Sequence, residues 1–127
     1  MSETVLVEIP ARPDFVATVR AATRSASALA DLSVSDVEEM QIAIDEAATL
    51  LLPVVAATGT ARLSARFLVT DGSLDVTLST GCTPDADIDR AGMAWLMLTG
   101  LDPAVTVRTE GGELSITIGR RRSGEPS

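Results

Sequence analysis

The sequence of 127 residues predicts an α/β protein, a two-layer sandwich in which three helices cover one face of a mixed, mainly antiparallel sheet. Three observations support this prediction. The spacing of apolar residues alternates along the chain between a helical period and a period of two. The resulting order is strand, helix, helix, hairpin, helix, hairpin. The predicted strands each have one polar face, so all helices should pack on the same side of the sheet.

The chain opens with a predicted strand and an amphipathic helix. From Thr4 to Ile9 every second residue is apolar, with Val5, Val7 and Ile9 on one face, as in a half-buried strand. A proline is tolerated in the first turn of a helix, and Pro13 occupies such a place. The helix should end near Asp31, and its apolar residues recur at helical spacing: Phe15, Val19, Ala22, Ala26 and Leu29.

A second helix is predicted from its start signal and its apolar face. Ser35-Asp36-Val37-Glu38 matches a capping box, in which the serine hydroxyl and the glutamate carboxylate bind free backbone amides. Pro53 disfavours helical geometry at Leu52, which places the helix end, or a kink, there. The predicted buried face consists of Val37, Met40, Ile44, Ala47 and Leu51.

Two hairpins and a third helix complete the prediction. Apolar residues alternate from Ala61 to Val69 and again from Leu74 to Leu78, around an Asp71-Gly72 turn in which both central residues should have positive φ. The second hairpin turns at Gly111-Gly112, between Val105 and Val107 on one strand and Leu114, Ile116 and Ile118 on the other. A loop over 81–89 and a helix over 90–98, ending at Gly100, should lie between the hairpins.

Composition excludes several classes of function. A net charge of −8 opposes binding to phosphate backbones, and three aromatic residues offer little for stacking on bases. The sequence has no His, Lys, Asn or Tyr, which excludes His triads, His metal sites, a Walker-A lysine and Schiff-base chemistry. We therefore predict no metal site and no nucleic-acid partner.

The chain is expected to be a soluble cytoplasmic protein of one domain. Its longest apolar run, Ala47–Ala57, contains Thr49 and Pro53 and is too short to span a membrane. Cys82 is the only cysteine, so no internal disulfide can form. We expect a domain over residues 1–120 and a flexible tail over 121–127, with the arginines at 120–122 acting as solubilising charge.

The second helix carries the residues that could perform chemistry. Glu46 follows Asp45 among apolar positions and has two interpretations. It could point into a cleft as a general base or nucleotide-site acid, or it could lie with Asp45 on the solvated edge of an amphipathic helix. Spacing alone leaves both interpretations open.

A family resemblance bears on this choice. The segment Ala-Ile-Asp-Glu-Ala-Ala-Thr at 43–49 resembles the N box of RsbW-type anti-sigma factors, serine/threonine protein kinases of the GHKL superfamily with the Bergerat (histidine-kinase-like ATPase) fold. The similarity extends over most of the chain, including the Arg-Pro helix, the segment 93–99 and the Gly-Gly hairpin. It implies ATP or ADP with Mg²⁺ as ligand, Glu46 as catalytic base, and Thr49, Gly81 and Gly92 as nucleotide contacts.

The chain departs from the family pattern where nucleotide should bind. The asparagine that holds Mg²⁺ four residues after the glutamate is Leu50 here, and a leucine cannot coordinate a cation. The Asp-x-Gly-x-Gly loop is replaced by the sequence at 80–87, and the second glycine-rich box is reduced to Gly92. Gly111-Gly112 could correspond to the last Gly-Thr box of the family, or it could be a simple hairpin turn. We expect a divergent member with nucleotide binding weakened or lost.

The resemblance implies that the chain binds a sigma factor, a STAS-type anti-anti-sigma protein, or both, and that it forms a homodimer. Arg20 and Arg24 on the first helix are the candidate partner-binding residues. One alternative is a working ATP-dependent serine/threonine kinase that phosphorylates a STAS-domain antagonist. A second is a dimerisation module outside sigma regulation, suggested by the apolar helix around Trp95.

Overall fold

The computed structural model describes residues 2–55 and 61–122. Its strands are β1 (Ser2–Pro10), β2 (Arg62–Thr70), β3 (Ser73–Gly81), β4 (Thr106–Glu110) and β5 (Glu113–Arg121). Its helices are α1 (Val16–Leu29), α2 (Val34–Leu51) and α3 (Met93–Leu101), with short 3-10 turns at Pro13–Phe15 and Leu52–Val54. The predicted order of elements is confirmed.

The five strands form one sheet in the order β1-β2-β3-β5-β4. Each neighbouring pair of described strands is antiparallel, so the sheet contains no parallel pair within 2–55 and 61–122. Phe67 lies opposite Val5 on one side and Val76 on the other, and Val76 lies opposite Ile118. This register places the predicted apolar residues on one shared face, and the predicted two-layer sandwich is confirmed.

The core lies between that face and the helices. Alternate residues of β2, β3 and β5 are buried there: Leu63, Ala65, Phe67, Val69, Leu74, Val76, Leu78, Leu114, Ile116 and Ile118. The α2 helix packs between α1 and α3 and contacts β3 and β5. Its predicted inner residues Met40, Ile44, Ala47 and Leu51 are buried, so α2 is the central helix of the layer.

The inner face of α1 differs from the prediction at its end. Leu29 is 69% exposed, so its predicted place in the core is wrong. The packed stripe instead uses Thr23 and Ser27, and Thr23 Oγ1 donates a hydrogen bond of 2.8 Å to the Val19 carbonyl within the helix. Small side chains let α1 lie close to its neighbours, and the stripe continues to Ala30 rather than Leu29.

The start of α2 also differs. Ser33, not Ser35, is the N-cap residue, because its hydroxyl oxygen accepts the Asp36 N–H at 3.1 Å. The same hydroxyl donates to the Asp36 carboxylate at 2.9 Å. The turn between α1 and α2 is short and passes through Asp31 with a φ of 58°, and the N-cap lies two residues before the predicted one. The predicted end at Leu52 and Pro53 is confirmed.

The two hairpin turns use glycine differently. Gly111 and Gly112 both have positive φ, 60° and 76°, as predicted. In the first hairpin only Gly72 does, at 86°, so the expectation for Asp71 is wrong. Contacts outside the hairpin explain the difference, because the Gly72 N–H donates to the Ala30 carbonyl and its carbonyl accepts the Arg122 N–H.

The third helix begins later than predicted and runs through Gly100 to Leu101. The preceding segment cannot be helical because its own acids bind its amides. Asp87 accepts the Ile88 N–H at 2.8 Å, and Asp89 accepts the Ala91 N–H at 2.9 Å. The Ile88 side chain is buried and fixes the loop to the core.

The arginines near the end of the chain belong to the fold. Arg121 is the last residue of β5, and the Arg122 side chain donates to the Asp31 carbonyl and the Asp71 carboxylate. The strand β5 therefore extends one residue past the boundary predicted at residue 120. Residues 123–127 of the predicted tail lie outside the described residues. The described helices are all too short or too polar to cross a membrane.

Candidate functional site

The elements that should surround a nucleotide are assembled around the middle of α2. Glu46 and Thr49 lie on this helix, Gly81 ends β3 and Gly92 precedes α3, and α2 contacts both β3 and α3. Glu46 is half-buried, and no ion pair or hydrogen bond within 2–55 and 61–122 engages its carboxylate. Thr49 is exposed, and its hydroxyl donates to the Asp45 carbonyl at 2.9 Å, within its own helix.

The position of the expected magnesium ligand faces the core. Leu50 is 5% exposed and belongs to the hydrophobic cluster between the helices and the sheet. Burying a leucine side chain stabilises a fold by about 1.5–3 kcal/mol, whereas a metal ligand must reach the cleft. Among the described residues, no group of three or more acids and cysteines is arranged to hold a metal ion.

The two candidate nucleotide glycines lack the geometry that usually requires glycine. Neither Gly81 nor Gly92 has positive φ. A Cβ at Gly81 would meet no heavy atom within 4 Å, so a side chain would fit there. A Cβ at Gly92 would lie 2.9 Å from Asp89 Oδ2, so this glycine makes room for the loop carboxylate.

The loop that replaces the first glycine-rich box is closed by its own side chains. Arg90 Nη1 donates to Asp87 Oδ2 at 2.7 Å, and this hydrogen bond, with that from the Ile88 amide, holds the pKa of Asp87 below its usual value. The interaction therefore stabilises the fold near neutral pH and is lost as pH falls through the lowered pKa. The carboxylates of Asp87 and Asp89 thus bind their own loop.

A buried ion network joins the three elements beside this region. Arg120 Nε lies 3.2 Å from Asp36 Oδ1, its guanidinium also pairs with Glu39, and Nη1 donates to the Leu101 carbonyl at 3.2 Å. The Asp36 side chain is 3% exposed and that of Arg120 22%. The gap between α2, α3 and β5 at this point has no room for a water molecule.

Sequence reasoning missed this network. Asp36 and Glu39 are three residues apart, which places both carboxylates on one helix face. The available signal was therefore a pair of acids near the start of a helix. Their basic partner could not be found, because Arg120 stands in a run of three arginines that suggested a solvated tail.

The two candidate partner-binding arginines occupy different environments. Arg20 donates through Nε to both oxygens of Asp45, at 3.0 and 3.2 Å, and its carbonyl accepts from Gln41. Arg20 therefore ties α1 to α2. Arg24 is exposed at the rim of a groove of about 260 Å³. We call it the α1–α2 groove, and it is lined by Arg24, Ala28, Leu32, Val34, Val37 and Glu38.

The α3 helix has an inner and an outer side. Leu98 is fully buried, and Trp95 is half-buried against the core. Met93, Leu96 and Met97 point outward and are 69%, 65% and 44% exposed. The apolar segment singled out in the sequence thus supplies both core and surface.

Comparison with known proteins supports the fold. No model of a known protein family matches the chain, and a search of curated proteins finds no match. The chain is similar to the crystal structure of the RsbU and RsbW domains of Rv1364c from Mycobacterium tuberculosis, with a TM-score of 0.66 and 20% sequence identity. The alignment covers 94% of this chain and 32% of that chain, so this chain spans about a third of its length. The five-stranded antiparallel sheet with its layer of three helices therefore has an RsbW-like fold.

Proposed function

We propose that the chain is an anti-sigma factor-like regulator of transcription, which binds a sigma factor, a STAS-type anti-anti-sigma protein, or both. Nucleotide binding is weakened or lost in this proposal. One observation carries it, namely that an RsbW-like fold has a core leucine, Leu50, where the family resemblance implies a magnesium-holding asparagine.

The chemistry of phosphoryl transfer supports binding over catalysis. Such transfer depends on metal ions that neutralise the developing charge and on backbone amides that grip the phosphates. Leu50 offers no ligand atom, and in the loop at 80–87 the Ala86 N–H already donates to the Thr83 carbonyl and Asp87 already accepts the Ile88 N–H. Glu46 can accept a proton, but this one carboxylate cannot by itself bind a nucleoside triphosphate.

The α1–α2 groove suits a protein partner. Its floor is apolar, and Arg24 and Glu38 place opposite charges on its rim. A partner helix could insert an apolar side chain and pair an acid with Arg24, as amphipathic helices do in hydrophobic grooves. The net charge of −8 favours partners whose surface is basic outside the segment that enters the groove.

Partner capture tests this proposal. The intact chain, immobilised and exposed to extract of its native cells, should retain a sigma factor or a STAS-domain protein identified by mass spectrometry. Arg24→Glu reverses the charge at the groove rim and should reduce recovery by about tenfold or more. Arg66→Glu is the matched control, because Arg66 is exposed on β2, away from the helices, and should leave recovery unchanged. Recovery of neither class of protein by the parent chain would refute the proposal.

The kinase alternative makes the opposite prediction for nucleotide. We expect no measurable heat when the intact chain is titrated with Mg-ATP, because the metal ligand is missing. A working kinase should bind in the micromolar range, at about −8 kcal/mol. Its binding should disappear in Glu46→Ala and persist in Glu38→Ala, an exposed acid on the same helix. That pattern would favour the kinase over the binding module.

A further inference from the structure

The outer face of α3 is a continuous apolar surface. Met93, Leu96 and Met97 are spaced i, i+3 and i+4, which aligns their side chains on one side of the helix, and the exposed Gly100 follows at i+7. The inner side is already occupied, because Leu98 is buried and Ala94, Trp95 and Leu101 pack against the core. The stripe Met93, Leu96, Met97 and Gly100, here called the α3 stripe, is left exposed by the residues at 2–55 and 61–122.

Gly100 is a second distinctive feature of this face. It lies within the helix, its φ is not positive, and a Cβ there would meet no heavy atom within 4 Å. Nothing in the described chain therefore requires glycine at this position, although glycine is a poor helix former. A glycine on a helix surface has no side chain, so the backbone of another segment can approach the helix closely there.

Charges near the stripe indicate the kind of partner. The loop leading into α3 contains Asp85, Asp87 and Asp89 against one arginine. That arginine, Arg90, is engaged by Asp87 at 2.7 Å and lies 5.6 Å from the centre of the Trp95 ring. The loop therefore carries a net negative charge directly before the first turn of α3.

A second copy of this chain is a poor occupant for such a surface. It would bring the same acidic loop, and the same net charge of −8, into the contact. Like charges at an interface disfavour association, whereas opposite charges raise the association rate and fix the register. The complementary occupant combines an apolar stripe with positive charge.

We propose that the α3 stripe docks a basic amphipathic α-helix of a partner protein. Apolar side chains of that helix cover Met93, Leu96 and Met97, its backbone crosses at Gly100, and its Lys or Arg residues lie beside the acidic loop at 85–89. This inference rests on the proposed function, to which it adds a contact surface distinct from the α1–α2 groove.

Fluorescence of the intact chain tests the docking directly. Trp95 is the only tryptophan and the sequence has no tyrosine, so the emission reports on α3 alone. The probe is a synthetic helical peptide of about 18 residues with leucines on one face and lysines on the other. Titration should change the Trp95 emission and saturate, whereas a peptide with glutamate in place of each lysine should give no change.

A matched pair of variants localises the contact. Leu96 and Leu6 are 65% and 66% exposed and lie on different surfaces, α3 and β1. Leu96→Ser should raise the dissociation constant for the Leu/Lys peptide by about tenfold, and Leu6→Ser should leave it within about twofold. Equal affinities of the two variants, or equal binding of the Glu peptide, would overturn the proposal.

Gly100→Ala separates docking from a structural role. Alanine is the better helix former, so this variant should melt at a higher temperature than the parent. Its added methyl group should weaken binding of the Leu/Lys peptide by about tenfold, because it blocks the close approach. A variant that is more stable and binds the peptide as the parent does would contradict the proposed crossing at Gly100.

The partner-capture experiment distinguishes failure of this inference from failure of the proposed function. If the parent chain captures a sigma factor or STAS protein and Leu96→Ser captures it equally well, docking at α3 is refuted and the proposed function stands. If the parent captures neither class, the proposed function fails, and the peptide titration alone decides whether the α3 stripe binds basic helices.

Discussion

Replacing Arg120 with alanine is expected to reduce the free energy of unfolding by about 3–5 kcal/mol. The guanidinium pairs with Asp36 and Glu39, and it donates to the carbonyl of Leu101 near the end of α3. Asp36 is 2% exposed and keeps the hydrogen bond from the Ser33 hydroxyl, but removing Arg120 takes a positive charge away from a carboxylate that water does not reach. The loss is a large part of the stability of a typical domain, and the end of α3 should lose one of its hydrogen bonds to β5.

The measurement is urea unfolding of the intact chain, followed by far-UV circular dichroism. Arg121→Ala is the control, because Arg121 is the next residue of the same strand and is exposed. It should change the unfolding free energy by less than about 0.5 kcal/mol. Similar midpoints for the two variants would mean that the ion network does not stabilise the junction of α2, α3 and β5.

Leu50→Asn should also be strongly destabilising, by about 3–5 kcal/mol. This substitution introduces the residue that the family resemblance places at the metal site. Here the position is 5% exposed and surrounded by core side chains. The variant would lose apolar burial and place an amide within the hydrophobic cluster between the helices and the sheet. We therefore expect no gain of Mg-ATP binding.

Thermal unfolding and calorimetric titration with Mg-ATP together check this prediction. Thr49→Asn serves as control, because Thr49 is the preceding residue of α2 and is exposed. Its cost should be below about 1 kcal/mol, which corresponds to the single hydrogen bond that Thr49 makes. A Leu50→Asn variant that folds like the parent and binds Mg-ATP would show that an intact nucleotide cleft lacks only its metal ligand.

Much of the fold was predictable because its signals are local. The alternation at Leu63, Phe67 and Val76 depends only on which face of a strand each residue occupies, and the structure confirms it. The Gly111-Gly112 turn is equally local, since two consecutive glycines supply the positive φ that the hairpin needs. Boundaries were less accurate, as at the start of α2, where Ser33 is the N-cap residue instead of the predicted Ser35.

The candidate site was predictable only as a set of positions. The N-box resemblance identified Glu46 and its neighbours, but which side of α2 faces a cleft depends on how the helix is rotated in the layer. The rotation buries Leu50 and leaves Thr49 exposed. These residues are adjacent, and the spacing of apolar residues does not decide which of them faces the core. Arg20 and Arg24 are one turn apart on α1, so their positions in the sequence look equivalent. Only the tertiary contacts show that Arg20 binds Asp45, whereas Arg24 lies at the rim of the α1–α2 groove.

The sequence by itself determined the kinds and order of the elements, the apolar face of the sheet and the exclusion of His- and Lys-based chemistry. These properties depend on residue type and on spacings of two to four residues, both of which can be read directly from the sequence. Only the tertiary structure decided that Arg120 pairs with Asp36 and that the described part of the chain leaves the outer side of α3 exposed. Ion pairs and exposed faces depend on which segments, far apart in the sequence, come into contact, and local sequence patterns carry no information about those contacts.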